Sequence, residues 1–214
     1  TKKNSVTLAQ NIAFAIFEKY EWIYKMDEDI FVTEYVFENL YQSYREVEET
    51  SNYRVGVTVP LMPVNGCGYH MVLEKAQKKS DYEKKFGKIV IGGNPESEIE
   101  RNPESAVFMW AECPHIDKIN RMFSDVEPFV ACSVRYSIGF ILMRHSFWEE
   151  MQGFSVSGGV DMGVDEEEVC ASCINRSRAL VISRRAVAGH FSFGPQTERM
   201  KWYLSEHPEK FEIC

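Results

Sequence analysis

The chain has 214 residues, 44% of them hydrophobic and 26% charged, so it can bury a core of its own and is neither disordered nor fibrous. Acidic residues outnumber basic ones by 32 to 24, and the formal charge of -8 argues against a nucleic-acid partner, because the overall field repels a phosphate backbone. The sequence predicts no transmembrane segment and no secretion signal, so we expect a cytoplasmic protein.

The first half of the chain alternates helix and strand patterns. Apolar residues recur at helical spacing over residues 6–20, and the aromatic segment 21–26 (EWIYKM) then predicts a strand. Thr33 is suited to cap a second helix, whose apolar stripe covers residues 36–47. A β-branched strand, RVGVTV, follows at residues 54–59 and ends at a proline. This order is typical of an α/β sheet with parallel strands.

The second half is irregular at first. The polar run GGNPESEIERNPES, which begins within the irregular residues 62–103, predicts a surface excursion. Regularity returns with a long apolar strand predicted at residues 131–143 and a last core strand at residues 179–183. A final helix is expected at residues 197–205. Because no repeat or linker interrupts the chain, we expect one domain over residues 1–214.

Three acidic residues follow the first predicted strand directly. In an extended segment Asp27 and Asp29 project to one side and Glu28 to the other. Two carboxylates at the carboxyl end of an apolar strand suit Mg²⁺ or Mn²⁺ bridging to a diphosphate. The alternative is a solvated turn or a helix cap, since acidic triplets are common in loops. The apolar strand that runs into the triplet favours the metal site.

A second acidic cluster, residues 165–168, precedes a predicted helix. Negative charge at a helix N-terminus stabilises the helix by about 0.3–1 kcal/mol, so part of the cluster needs no catalytic role. In the functional interpretation, like-charged neighbours raise the proton affinity of one carboxylate, which then acts as a general base. The candidates are Asp165, Glu166 and Glu167.

One histidine stands out by its position. His190 follows the last predicted strand in a loop, residues 189–196, that is rich in glycine and aromatic residues. A single histidine is most often a core or surface residue, but a neutral imidazole here would complete the metal site begun by Asp27 and Asp29. The six cysteines are expected to be free thiols, because the one CxxC pair has no second pair to complete a zinc site.

Five segments, in order, resemble the family 2 type of GT-A glycosyltransferases, which move a sugar from a nucleotide diphosphate donor to an acceptor. They are KMDEDIFV, RVGVTVP, SIGFILMRHSFWEEMQGF, GVDEEEVC and AVAGHFSF, and they span nearly the whole chain. The resemblance implies a Rossmann-like GT-A fold with a mixed, mostly parallel sheet flanked by helices. It also implies a carbohydrate or lipid-linked acceptor, a role in polysaccharide or glycoconjugate synthesis, and a place in the cytoplasm or peripheral to a membrane.

The resemblance also assigns roles to acidic residues and to the histidine. It implies that Asp27, Glu28 and Asp29 bind the metal and the donor diphosphate, and that His190 joins them. Asp165-Glu166 is similar to the paired acid motif whose second member removes the acceptor proton. This implies that Glu166 is the base, with Glu167 as the alternative because the order of the acids is altered.

Two further segments match the family, and one part of its pattern is not found. Gln152-Gly153-Phe154 looks like a variant of the segment ending in GGF that precedes the catalytic acids, and Asn11 lies on the helix that leads into the triplet. Only 26 residues precede Asp27, whereas two βαβ units take about 60. The resemblance therefore leads us to expect nucleotide-binding strands upstream of Thr1. The rival functions are a sugar nucleotidyltransferase and a non-catalytic nucleotide-sugar or carbohydrate-binding domain.

Overall fold

The computed structural model describes residues 5–92, 97–156, 163–191 and 194–211, which form a mixed α/β fold. The α-helices there are α1 (Val6–Ile16), α2 (Val36–Thr50), α3 (Gly68–Lys75), α4 (Lys79–Phe86), α5 (Glu98–Arg101), α6 (Pro103–Glu112), α7 (Ile116–Met122), α8 (His145–Met151), α9 (Val164–Asn175) and α10 (Thr197–Glu206). The strands are β1 (Trp22–Met26), β2 (Ile30–Val32), β3 (Val55–Leu61), β4 (Phe129–Ala131), β5 (Phe140–Arg144) and β6 (Ala179–His190). None of these helices is both long and apolar enough to cross a bilayer.

The strands form a mixed sheet in the order β1-β5-β3-β6-β2, with β4 also paired to β6. Only β3 and β6 run parallel; the other four pairings of the described strands are antiparallel. The α/β class is confirmed, but the expectation of a mostly parallel sheet is wrong. The reason is the entry point of β5: its first residue, Phe140, pairs with Met26 at the end of β1, so β5 runs against its neighbour.

The long strand expected at residues 131–143 is two short strands. Residues 132–139 leave the sheet between β4 and β5, because Tyr136 is fully buried against the end of β3. Its hydroxyl donates to the carbonyl of Pro60 at 2.8 Å and accepts from the N–H of Met62 at 3.0 Å. An apolar pattern alone does not reveal that the segment crosses a strand end.

Two other predicted boundaries are wrong for related reasons. The second helix begins at Val36, and the hydroxyl of Thr33 donates to the carbonyl of Val187 at 2.8 Å, so it fastens β2 to β6 and caps no helix. β3 continues through Pro60 to Leu61. Its register with β6 shifts between these two residues, which is where a residue without an N–H is tolerated.

The polar run after residue 91 is only partly exposed where the structure describes it, with Arg101 and Glu104 at the surface. Ser97 and Ile99 are fully buried, and the nearly buried Glu100 accepts a hydrogen bond from the N–H of Gly66 at 2.7 Å. Residues 93–96 lie outside the described part of the chain. This run, although rich in charged residues, contains a short helix that packs against the core.

The last core strand is longer than expected and carries the site histidine. β6 extends for 12 residues, because β3 pairs with its first part and β2 with its end. Gly189 and His190 therefore belong to a strand, and the loop expected at residues 189–196 is wrong for them. Residues 194–196 form a 3-10 turn, and residues 192–193 lie outside the described part.

Candidate active site

The acidic triplet lies in the turn between β1 and β2. The N–H of Asp27 donates to the carbonyl of Gly139 at 2.8 Å, which fixes the first aspartate beside the start of β5. Ile30 then pairs with His190 at the end of β6, so the turn that carries Asp29 lies against that histidine. Nε2 of His190 is 3.3 Å from Oδ1 of Asp29. Strand pairing thus unites residues that are far apart in sequence.

Gly139 lies close to two of the three expected metal ligands. A Cβ atom placed on this glycine would lie 3.1 Å from Cδ1 of Ile30, 3.4 Å from Cδ2 of His190 and 3.5 Å from Oδ2 of Asp27. Asp29 contacts His190 from the turn. The surroundings of position 139 are therefore closely packed, and a larger residue there would press on Ile30 and His190.

The residue types of the triplet and of His190 are ones that divalent ions use as ligands. Carboxylate oxygens suit Mg²⁺ and Mn²⁺, and imidazole is a common metal ligand. Within the described ranges, no three His, Cys, Asp or Glu side chains are grouped closely enough to form a complete protein site. Mg²⁺ is usually bound by one or two carboxylates, with water and substrate phosphates in the other positions.

The electrostatics of Asp29 favour its charged form. Burial raises the pKa of this carboxyl, but the hydrogen bond and charge of His190, with a smaller contribution from Lys25, outweigh burial and bring the pKa below its usual value. Asp29 is therefore ionised at neutral pH, as a metal ligand must be. Glu28 is exposed in the turn, whereas both aspartates are half-buried, and its role in donor binding stays a prediction.

Lys25 is the part of the site that sequence reasoning missed. Its ammonium lies 2.7 Å from Oδ1 of Asp27, donates to the carbonyl of Ile138 at 2.8 Å, and is 3.9 Å from Oδ2 of Asp165. The Lys25 side chain is only 9% exposed. The sequence does contain an indication of this contact, because Lys25 is two positions before Asp27 and residues two apart in a strand project to the same face. Lys25 connects the acidic triplet to the second acidic cluster.

The three acids expected to include the base lie in the first turn of α9 but have different surroundings. Asp165 is 6% exposed and accepts from Nε2 of Gln10 at 2.9 Å and from the N–H of Glu166 at 3.0 Å. Glu166 forms an ion pair with Arg135. Glu167 is exposed and lines a cavity. Of the three, Asp165 is the one that Lys25 links to the triplet.

Asn11 holds the Gln152-Gly153-Phe154 segment in place. Its Nδ2 donates to the carbonyl of Phe154 at 2.7 Å, and its Oδ1 accepts from the N–H of Phe154 at 2.8 Å. Gly153 adopts a φ of 74°, and a Cβ atom there would lie 3.0 Å from Oδ1 of Asn11. Glycine is therefore required both by the backbone conformation and by the close approach of the asparagine.

Replacing Asn11 by alanine should lower the free energy of unfolding by about 1–3 kcal/mol, because two hydrogen bonds to the backbone are lost. Urea denaturation measures the change. Asn39→Ala is the matched control, since the Asn39 amide donates a single exposed bond, to the carbonyl of Arg185, and should change stability by less than about 1 kcal/mol. Equal effects in the two variants would show that the Asn11 contacts contribute no special stability.

Two cavities lie near the site, and of its candidate acids only Glu167 is among the residues that line them. The larger, of about 250 Å³, lies between α9 and residues 132–135. It is lined by the apolar residues and thiols of these elements together with Arg135, Glu167 and Arg178. The second, of about 200 Å³, lies between β2 and the start of α7 and is lined by Ile30, Phe31, Val32, His115, Ile116, Asp117 and Phe211. The cysteines of the described residues are free thiols, as expected.

The chain matches no protein-family model, no curated protein sequence and no solved structure, so its function is inferred from the chemistry and geometry of its own residues.

Proposed function

We propose that the protein is a metal-dependent glycosyltransferase that moves a sugar from a nucleotide-diphosphate sugar to the hydroxyl of a carbohydrate or lipid-linked acceptor. One observation carries the proposal: Asp29 contacts His190, Gly139 lies close to both His190 and Asp27, and Lys25 links Asp27 to Asp165. This reaction needs residues that bind a metal and a diphosphate, and it needs a separate carboxylate base beside them.

Asp27, Asp29 and His190 would hold Mn²⁺ or Mg²⁺. When bound, the ion supplies positive charge for the departing diphosphate. Asp165 takes the proton of the acceptor hydroxyl while the oxygen of that hydroxyl forms a bond to the anomeric carbon. The bond between that carbon and the diphosphate oxygen breaks, and the diphosphate leaves with the electron pair.

Asp165 is a better candidate for the base than Glu166. The carboxylate of Glu166 forms its ion pair with Arg135, whereas that of Asp165 lies 3.9 Å from the Lys25 ammonium that contacts Asp27. Asp165 lies within the group that contains Asp27. The proposal therefore assigns the base to the first acid of the pair, although the resemblance implied the second.

A second candidate function is a non-catalytic domain that binds a nucleotide sugar or a carbohydrate. It is favoured by the two ion pairs of the site, because Lys25 already neutralises Asp27 and Arg135 already neutralises Glu166. A binding domain would give thermal stabilisation by ligand without turnover. Donor hydrolysis therefore separates the two functions.

The test uses the complete polypeptide and a panel of nucleotide-diphosphate sugars, each with Mn²⁺ and, as the control, with excess EDTA. We expect at least one donor to raise the melting temperature only when Mn²⁺ is present, because a ligand that binds the native state stabilises it. The same donor should be hydrolysed slowly when no acceptor is added. If no donor stabilises the complete polypeptide with metal present, the proposal is wrong.

A further inference from the structure

Two thiols from distant parts of the chain are in contact. Cys67 lies directly before α3 and Cys132 directly after β4, and their side chains are hydrogen-bonded to each other. Cys67 is 8% exposed, whereas Cys132 is partly exposed and lines the cavity of about 250 Å³. The pair is therefore within reach of a small molecule that enters this cavity.

The surroundings of Cys67 favour its thiolate form. The hydrogen bond with Cys132 brings the pKa of Cys67 below its usual value, although burial acts in the opposite direction. The N-terminus of α3, which follows Cys67 directly, adds positive partial charge. The buried thiols elsewhere differ, because burial raises the pKa of Cys113 and of Cys173 to about 12. Since the thiolate is the reactive form of cysteine, Cys67 is the more nucleophilic of these thiols.

We infer that Cys67 and Cys132 form a redox-sensitive pair, which a peroxide converts into a disulfide between the start of α3 and the segment after β4. One hydroxyl of H₂O₂ is transferred to the sulfur of Cys67, and the other leaves as water with the proton of that thiol. The sulfur of Cys132 then forms a bond to the sulfur of Cys67, and the new hydroxyl leaves with the second thiol proton as water. The two thiols lose two electrons in total, and H₂O₂ accepts them.

The disulfide would restrain a segment that contacts the candidate site. Residues 132–139 lie between β4 and β5 and include Arg135, which forms the ion pair with Glu166. They end at Gly139, whose carbonyl accepts from the N–H of Asp27 at 2.8 Å. The segment therefore contacts both acidic parts of the site. The inference does not rest on the proposed function, because the disulfide forms whichever ligand the site binds.

The test exposes the complete, reduced chain to H₂O₂ and maps the disulfides by mass spectrometry of peptides prepared without reductant. We expect the peptide that contains Cys67 to be joined to the one that contains Cys132, with the loss of two hydrogen atoms, and dithiothreitol should reverse the link. Cys132→Ser should abolish the link and leave a sulfenic acid at Cys67 that dimedone traps. Cys113→Ser removes another buried thiol and, as the matched control, should leave the link in place.

The peptide map of the wild-type chain decides the inference without any substitution, so a variant that does not fold leaves the test intact. The inference is overturned if Cys67 and Cys132 stay reduced while the same treatment oxidises glutathione added to the sample. It is also overturned if the peroxide joins either cysteine to a different partner. Failure of every donor in the nucleotide-sugar panel would refute the glycosyltransferase proposal and would not change the peptide map.

Discussion

Replacing Asp29 by asparagine should weaken the Mn²⁺-dependent binding of a nucleotide-diphosphate sugar at least about 100-fold, which corresponds to about 2.7 kcal/mol. The amide has nearly the same shape as the carboxylate but no charge. The carboxylate is ionised at neutral pH, because the effect of His190 on its pKa outweighs that of burial. Isothermal titration of the donor with and without Mn²⁺ measures the loss.

The control for this substitution is Asp81→Asn, which removes one carboxylate from an exposed position on α4 and should not change donor affinity. The loss in Asp29→Asn should disappear when both proteins are compared in EDTA, because only the metal-dependent part of binding is affected. Donor binding by Asp29→Asn that is as tight as wild type, with Mn²⁺ present, would exclude this aspartate from the metal site.

Replacing Asp165 by asparagine should lower the rate of sugar transfer by about 10²–10⁴-fold, the usual contribution of a general base. Donor binding should change less than transfer, since Asp165 is not among the residues proposed to hold the metal and the diphosphate. An amide at this position can still accept from Gln10, so the local hydrogen bond is kept. Steady-state kinetics should therefore show a large fall in kcat and a small change in the donor KM.

Glu166→Gln is the comparison for this second prediction, because Glu166 lies in the same turn of α9 and is paired with Arg135. We expect a loss of transfer below about tenfold, since removing a carboxylate that is not the base affects only positioning. A large loss in Glu166→Gln together with near-normal transfer in Asp165→Asn would place the base at Glu166, as the resemblance implied. Normal transfer in both variants would exclude both residues as the base.

Part of the site follows from local patterns in the sequence. Asp27 and Asp29 follow a strand that the aromatic segment predicted, and the structure has that strand at Trp22–Met26. The acids at the start of α9 were also expected from their position before a helix. These features depend on residues only a few positions apart, and alternation and capping act over that range. The roles of these acids stay predictions until the variants are measured.

Other parts of the site depend on contacts between distant residues. Gln10 and Asp165 are 155 positions apart, and Asn11 and Phe154 are 143 apart. No pattern in the neighbourhood of Gln10 indicates that its amide binds a carboxylate. Arg135 is similar, because its pairing with an acid of α9 requires residues 132–139 to leave the sheet, which their apolar pattern did not predict.

The sequence by itself determined the α/β class, the places of α1, β1, α2, β3 and α10, and the short acidic motifs, because each of these depends on local periodicity and charge. Only the tertiary structure decided the direction of the strands and the partner of each carboxylate. Direction depends on where a strand enters the sheet, as β5 does beside the end of β1. The surroundings of Asp27 arise where separate strands meet, with Lys25 on one side and His190 near the other. The interactions of a charged group depend on the groups that packing places around it.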